Sequence, residues 1–246
     1  MEYTVAKLDD PKAGMLDYVY GVVEAQRASG DTWSQTRPYN WQSIRGLAYV
    51  YTLEGSPYVG DDGVADAIRD VYGAIRSSEH PPDNRLTGHL AETRRLLVQA
   101  GADDLVPGID DELVRRATPL DERLASYRHL IRFRSGNQGT GTNHVVVYGT
   151  SVYRVGELLG RAEWVGRAMD LWSRFVEDQE PDGYWAETTP GPTSLYNNLT
   201  FCCAGRMAVW TDEGRFHDAA QRGALFHRRF CYPDGCDLET IDGRVR

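Results

Sequence analysis

Lysine is nearly missing from this chain. Of its 27 Lys and Arg side chains, only Lys7 and Lys12 are lysine, so almost every cation is a planar guanidinium, suited to pairing with carboxylates and sulfates. A basic balance is missing too. Net charge is −9 and the isoelectric point about 5.2, which argues against a general nucleic-acid binder. No apolar run approaches the roughly 18 residues of a membrane span. The opening "MEYTVAKLDDPKAG" lacks the basic-then-apolar profile of a secretory signal. A cytoplasmic location is therefore expected, or export if the segment belongs to a longer chain. Cysteine is sparse, at four. Cys202 and Cys203 fall within an apolar helical pattern and are expected as reduced core residues. Cys231 and Cys236 flank a turn and can pair if oxidised, and with no His between or just after them a zinc site is not expected. Neither a metal nor a cofactor is expected. Alternation of the β-strand kind is almost absent.

Helical spacing is abundant instead. Apolar residues recur at a period near 3.6 over Met15 to Ala28, Trp41 to Leu53, Val64 to Ile75 and Leu86 to Val98. The pattern continues over Leu113 to Phe133, broken or kinked near Pro119, then Val145 to Leu159, Trp164 to Val176, Leu195 to Val209 and Phe216 to Phe230. Turn signals such as "EGSPYVGDDG", "HPPDN" and "RSGNQGTGTN" separate them. Asn40, Asp62 and Asn143 stand where caps would start three of these helices.

About nine helices joined by loops pack as antiparallel hairpins. "PDGYWAE" at Pro181 is echoed by "PDGCDLE" at Pro233, with Asp182 and Glu187 spaced as Asp234 and Glu239 are. The copies lie 52 positions apart, about one helical hairpin with its loops. The expected fold is all-α: residues 1–246 as a single α/α toroid-type domain, an incomplete ring of hairpins whose rim loops and inner helix ends form a cleft. An open α-solenoid would show the same echo.

Two loops hold the chemistry. "SGNQGTGTNHVVVYG", Ser135 to Gly149, has no Gly-Lys-Ser/Thr ending and follows no strand, so it is neither a phosphate loop nor a dinucleotide turn. Its glycines bring Asn143 and His144 to the mouth of a helix, where free N–H groups and a partial positive charge favour a carboxylate. The alternative is an N-cap beside a surface histidine. "PDGYWAETTPGPTSLYNN" follows about 50 residues on, one hairpin later. Tyr196 opens its helix, while Tyr184 and Trp185 are candidates to line a sugar cleft, or to plug the gap between helices. A tyrosine beside a cationic or hydrogen-bonding neighbour can move a proton.

"GTGTNH" followed by an apolar helix, then "DGYWAETTPGPTSLYNN", resembles the toroid domain of heparinase II/III-like and alginate-lyase-like polysaccharide lyases. The resemblance covers about the last hundred residues; the earlier helices agree only in class. It implies β-elimination on an acidic, uronate-containing polysaccharide. Asn143 and His144 would neutralise the uronate carboxylate and Tyr196 would give or take a proton. Tyr184, Trp185, Glu187 and Arg134 would bind substrate. Those families add a β-rich domain that often supplies a further histidine; none follows "DLETIDGRVR", so a fragment of a longer chain, or a form without activity, is expected.

Three other readings stand beside it. A toroid-type glycoside hydrolase would use paired carboxylates such as Asp182 and Glu187. "QEPDGYW" also matches the Gln-x-x-x-Gly-x-Trp pattern of triterpene cyclases, where Gln179, Gly183 and Trp185 would brace helices, but the Asp-x-Asp-Asp acid motif is absent. A non-catalytic carbohydrate-binding or scaffold domain is the last.

Overall fold

The helical periodicity runs through every stretch that the computed structural model describes, residues 43–78, 84–127, 142–186 and 193–230. These hold eight α-helices and one 3-10 turn. In order they are α1 (Ser43–Thr52), α2 (Asp62–Ser77), α3 (Asn84–Gln99), the turn Asp103–Leu105, α4 (Ile109–Tyr127), α5 (Thr142–Leu158), α6 (Ala162–Glu177), α7 (Ser194–Thr211) and α8 (Gly214–Arg228). No strand occurs among the described residues, and the chain is all-α there. None of these helices is long and apolar enough to cross a membrane. The helix expected over Met15 to Ala28, the Asn40 cap, Cys231 and Cys236 lie outside the described residues.

Four local expectations are corrected. The cap of α2 is Asp61, not Asp62: its backbone is extended and its carboxylate accepts from the Val64 N–H at 2.9 Å. Asn143 lies inside the first turn of α5, which already begins at Thr142. Pro119 does not break α4 into two helices. Its ring removes the N–H that the Arg115 carbonyl would otherwise accept and crowds that carbonyl; ion pairs lie on either side of it, Glu112 with Arg115 and Arg116, and Asp121 with Arg167. Of the two adjacent cysteines, Cys203 is buried as expected, but Cys202 is exposed. Neighbouring positions on a helix point about 100° apart, so one core-facing residue turns the next outward.

The chain divides into two compact units, Met1–Arg116 and Ala117–Arg246. In the first, α1 packs on α2 and α3. Helix α2 buries Val64, Ile68, Val71, Tyr72 and Ile75 along one stripe. Fully burying a side chain such as Ile68 contributes about 1.5–3 kcal/mol. The end of this helix is fixed by polar contacts. The Pro107 carbonyl accepts from the Tyr72 hydroxyl at 3.3 Å and from Arg76 at 3.1 Å. Arg116, itself buried, donates to the Ile75 carbonyl at 3.0 Å, a last-turn carbonyl that also accepts from the Ser78 N–H at 3.3 Å. Burial alone would raise Glu112, but hydrogen bonds from Arg115 and Arg116 outweigh it and hold the carboxyl below its ordinary range.

In the second unit, α5 packs on α6 and α7 on α8, and α5 also lies against α7. Glycines set the first hairpin's spacing. A Cβ at Gly149 would come within 2.8 Å of Leu171 Cδ2, and one at Gly156 within 3.0 Å of Trp164 Cβ. The short connection 159–161 makes α5 and α6 antiparallel, so α5 begins where α6 ends. Helix α7 begins at that same end: the Trp185 indole donates to Phe175 near the close of α6, and the Trp185 N–H donates to Asn197 in the first turn of α7. At the far end Tyr153 of α5 stacks on Trp210 of α7, with centroids 6.1 Å apart and planes within 4°. Helices α5 and α7 therefore run parallel, with both starts on one side.

Burial pushes the Tyr72 phenol up to about 12, with Arg76 opposing it. A raised folded value means stability is intact below the ordinary tyrosine range and falls as the pH climbs from about 10 to about 12. Tyr72→Phe is expected to be less steeply destabilised across that window, while losing about 1 kcal/mol at neutral pH with the bond to Pro107. Urea unfolding at a series of pH values checks this; identical alkaline slopes would refute it.

Candidate functional site

The loop between α6 and α7 is tied down by its backbone and by one amide. The Gln179 side-chain nitrogen donates to the Gly183 carbonyl at 2.8 Å and to the Ala219 carbonyl of α8 at 3.0 Å. Gly183 has φ +99°, and a Cβ there would stand 2.4 Å from the Arg222 carbonyl oxygen of α8. Only glycine meets both demands without strain. The chain then places Trp185 inside the unit, 2% exposed. Its ring stacks on Phe175 with centroids 5.4 Å apart, and its N–H donates to the Phe175 carbonyl at 2.9 Å. Gly223 of α8 leaves room for it: a Cβ there would lie 3.1 Å from the indole and 2.6 Å from Phe201 of α7.

Gln179, Gly183 and Trp185 thus join α6, α7 and α8. Trp185 offers no ring face to a sugar, so its expected place lining a cleft gives way to a place in the core. Tyr184 is half-buried, its ring 5.0 Å from that of Phe226. Asp182 is exposed. Glu187 and Arg134 lie outside the described residues.

The starts of α5 and α7 hold the other expected residues. Asn143 is 3% exposed, whereas His144 beside it is exposed. One turn on, the buried Tyr148 meets the His144 ring edge-on at 6.3 Å. Tyr196 is half-buried in the first turn of α7, and its carbonyl accepts from the Thr200 hydroxyl at 2.8 Å. His144 and Tyr196 share one end of the unit because α5 and α7 are parallel. Neither helix carries an acidic residue in its first turn, so its own side chains leave the positive end of each dipole uncompensated.

Sequence reasoning missed two residues here. Asn197, 1% exposed, accepts from the Trp185 N–H at 3.2 Å, while its amide nitrogen has no hydrogen-bond partner among the described residues. Arg123 of α4 donates to the Tyr148 hydroxyl at 3.0 Å, its guanidinium carbon 5.6 Å from that ring's centroid. The doubled asparagine after Tyr196 hinted at the first; nothing in the sequence joins Arg123 to Tyr148. Among the described residues no group of three or more His, Cys, Asp or Glu is placed to hold a metal ion.

No protein-family model, curated protein or solved structure matches this chain.

Gly183→Ala is expected to destabilise the protein by about 2–4 kcal/mol, from a positive φ forced on an L-residue and overlap with the Arg222 carbonyl. Urea unfolding followed by tryptophan fluorescence reads the loss, and a variant as stable as the parent would remove the tight loop–helix contact.

Proposed function

We propose that the unit Ala117–Arg246 carries an acidic-sugar site at the end where α5 and α7 begin, and that it cleaves a uronate-containing polysaccharide by β-elimination. In this reading α5 and α7 are inner helices of an α/α toroid, with α6 and α8 outside. One observation carries it: the parallel course of α5 and α7 puts His144 and Tyr196, both open to solvent at least in part, at one end of the unit.

The chemistry suits these groups. Elimination breaks the C–H bond next to the uronate carboxylate and then the neighbouring C–O bond. The electron pair of the first forms a new C=C bond as the glycosidic oxygen departs and takes a proton. Negative charge builds on the carboxylate, where the imidazole of His144 and the start of α5 would stabilise it. Tyr196 would remove the carbon-bound proton and return one to the leaving oxygen. Asn143, being buried, would position the first turn of α5 and so His144.

A second reading, a non-catalytic carbohydrate-binding or scaffold domain, draws on the burial of Trp185: the most conspicuous aromatic residue of the loop braces helices. One screen separates the readings. The protein is incubated with alginate, heparan, hyaluronan and pectate, and ultraviolet absorbance from the unsaturated uronate is followed. Absorbance is expected to rise with at least one polymer and to fall at least 100-fold in rate with Tyr196→Phe, which removes only the hydroxyl. New reducing ends without absorbance would indicate hydrolysis, and binding without either would indicate the scaffold reading. A fully active Tyr196→Phe enzyme would remove Tyr196 from the mechanism.

A further inference from the structure

Helix α4 distributes its charges unevenly. Asp110 holds Arg94, Glu112 holds Arg115 and Arg116, and Asp121 holds Arg167 through two hydrogen bonds of 2.7 and 2.8 Å. Carboxylates therefore partner most of the arginines on or against this helix. Arg123 is the contrast. It is exposed, and no carboxylate among the described residues pairs with it. Glu122 precedes it directly, and adjacent helical side chains do not face one another. A neutral phenol holds it instead: one N–H donates to the Tyr148 hydroxyl and the guanidinium lies over that ring. Tyr148 is 5% exposed and fixed within α5, so the contact orients the guanidinium without neutralising it. A guanidinium has five N–H donors in a rigid fork, and this bond occupies one. The same phenol ring meets the exposed His144 on its edge.

We propose that Arg123 is the anion-recognition residue at this end of the unit, receiving an oxyanion substituent of an acidic sugar on the guanidinium edge that Tyr148 leaves free. The inference rests on the acidic-sugar reading given above and adds to it the residue that selects charge. The shared ligand chemistry is a planar or tetrahedral oxyanion, from a uronate carboxylate or a sugar sulfate. Arg–oxyanion pairs are charge-assisted and often two-pronged, so lysine is a poor replacement. Tyr148 is a positioning residue, acting through Arg123.

The test uses the full chain and two arms. In the first, the Arg123 side-chain Nε–H resonance, identified by its loss in Arg123→Gln, is followed by NMR during titration with glucuronate, glucosamine 6-sulfate (N-acetylated) and neutral glucose. A saturable shift with one or both anions and none with glucose is expected, and which anion acts distinguishes carboxylate from sulfate. No shift with either anion overturns the proposal, whatever the polymer screen shows. In the second arm, affinity for an acidic tetrasaccharide from the responding polymer is compared with that for its carboxyl-reduced counterpart. Arg123→Gln is expected to weaken the acidic ligand at least tenfold and leave the reduced one unchanged. Arg123→Lys is expected to recover only part, and Tyr148→Phe to weaken binding several-fold with the fold intact by circular dichroism. If Arg123→Gln binds the acidic tetrasaccharide like the parent, the Arg123 assignment falls and the acidic-sugar reading stands. If no polymer binds while the Nε–H shift persists, the polysaccharide reading falls and Arg123 remains an anion site.

Discussion

The amide of Gln179 governs the geometry of the second unit. One nitrogen bridges the Gly183 carbonyl of its own loop and the Ala219 carbonyl of α8, so the loop cannot move away from that helix without breaking a buried hydrogen bond. Pinning Gly183 against the Arg222 carbonyl directs the chain inward at Trp185. The indole then fastens to the end of α6, and its backbone N–H reaches Asn197. Asn197 lies in the first turn of α7, next to Tyr196. The position of Tyr196 is thus a consequence, several contacts removed, of where one glutamine side chain is anchored.

This arrangement has a cost inside the unit. Among the described residues, the Gln179 side-chain oxygen and the Asn197 amide nitrogen are buried without hydrogen-bond partners. Such groups each forfeit about 1–3 kcal/mol, so they persist only where the surrounding contacts fix them firmly. Here those contacts include the Trp185–Phe175 stack and the close approach of α8 to α7 at Gly223. These contacts join the start of α7 to the loop after α6, and α7 to α8.

The helices were legible because apolar spacing is a local property. Val64, Ile68, Val71 and Ile75 announce one buried stripe of α2 without any knowledge of its partners. The bracing role of Gln179, Gly183 and Trp185 was legible for another reason, the likeness of "QEPDGYW" to a pattern that braces helices in triterpene cyclases. What was not legible depends on distant residues. The ion pair that joins α4 to α6, Asp121 with Arg167, links residues far apart along the chain. Whether Trp185 faces a cleft or a core depends on Phe175, Gly223 and Phe201. Arg123 meets Tyr148 across a separation that no periodicity encodes.

Bracing and the proposed ligand recognition do not compete for the same atoms. The described part of the loop, residues 178–186, is held by backbone carbonyls, one amide and one indole, all turned inward. Asp182 remains exposed and Tyr184 half-buried. Across the same end, His144 is exposed while Asn143 is buried, an alternation imposed by the helical turn. Buried members fix the frame and exposed neighbours face solvent from it. Rigid elements carrying a few outward polar groups are the usual way a helical scaffold presents a site, because the entropy of ordering those groups is lost in folding and not again on binding.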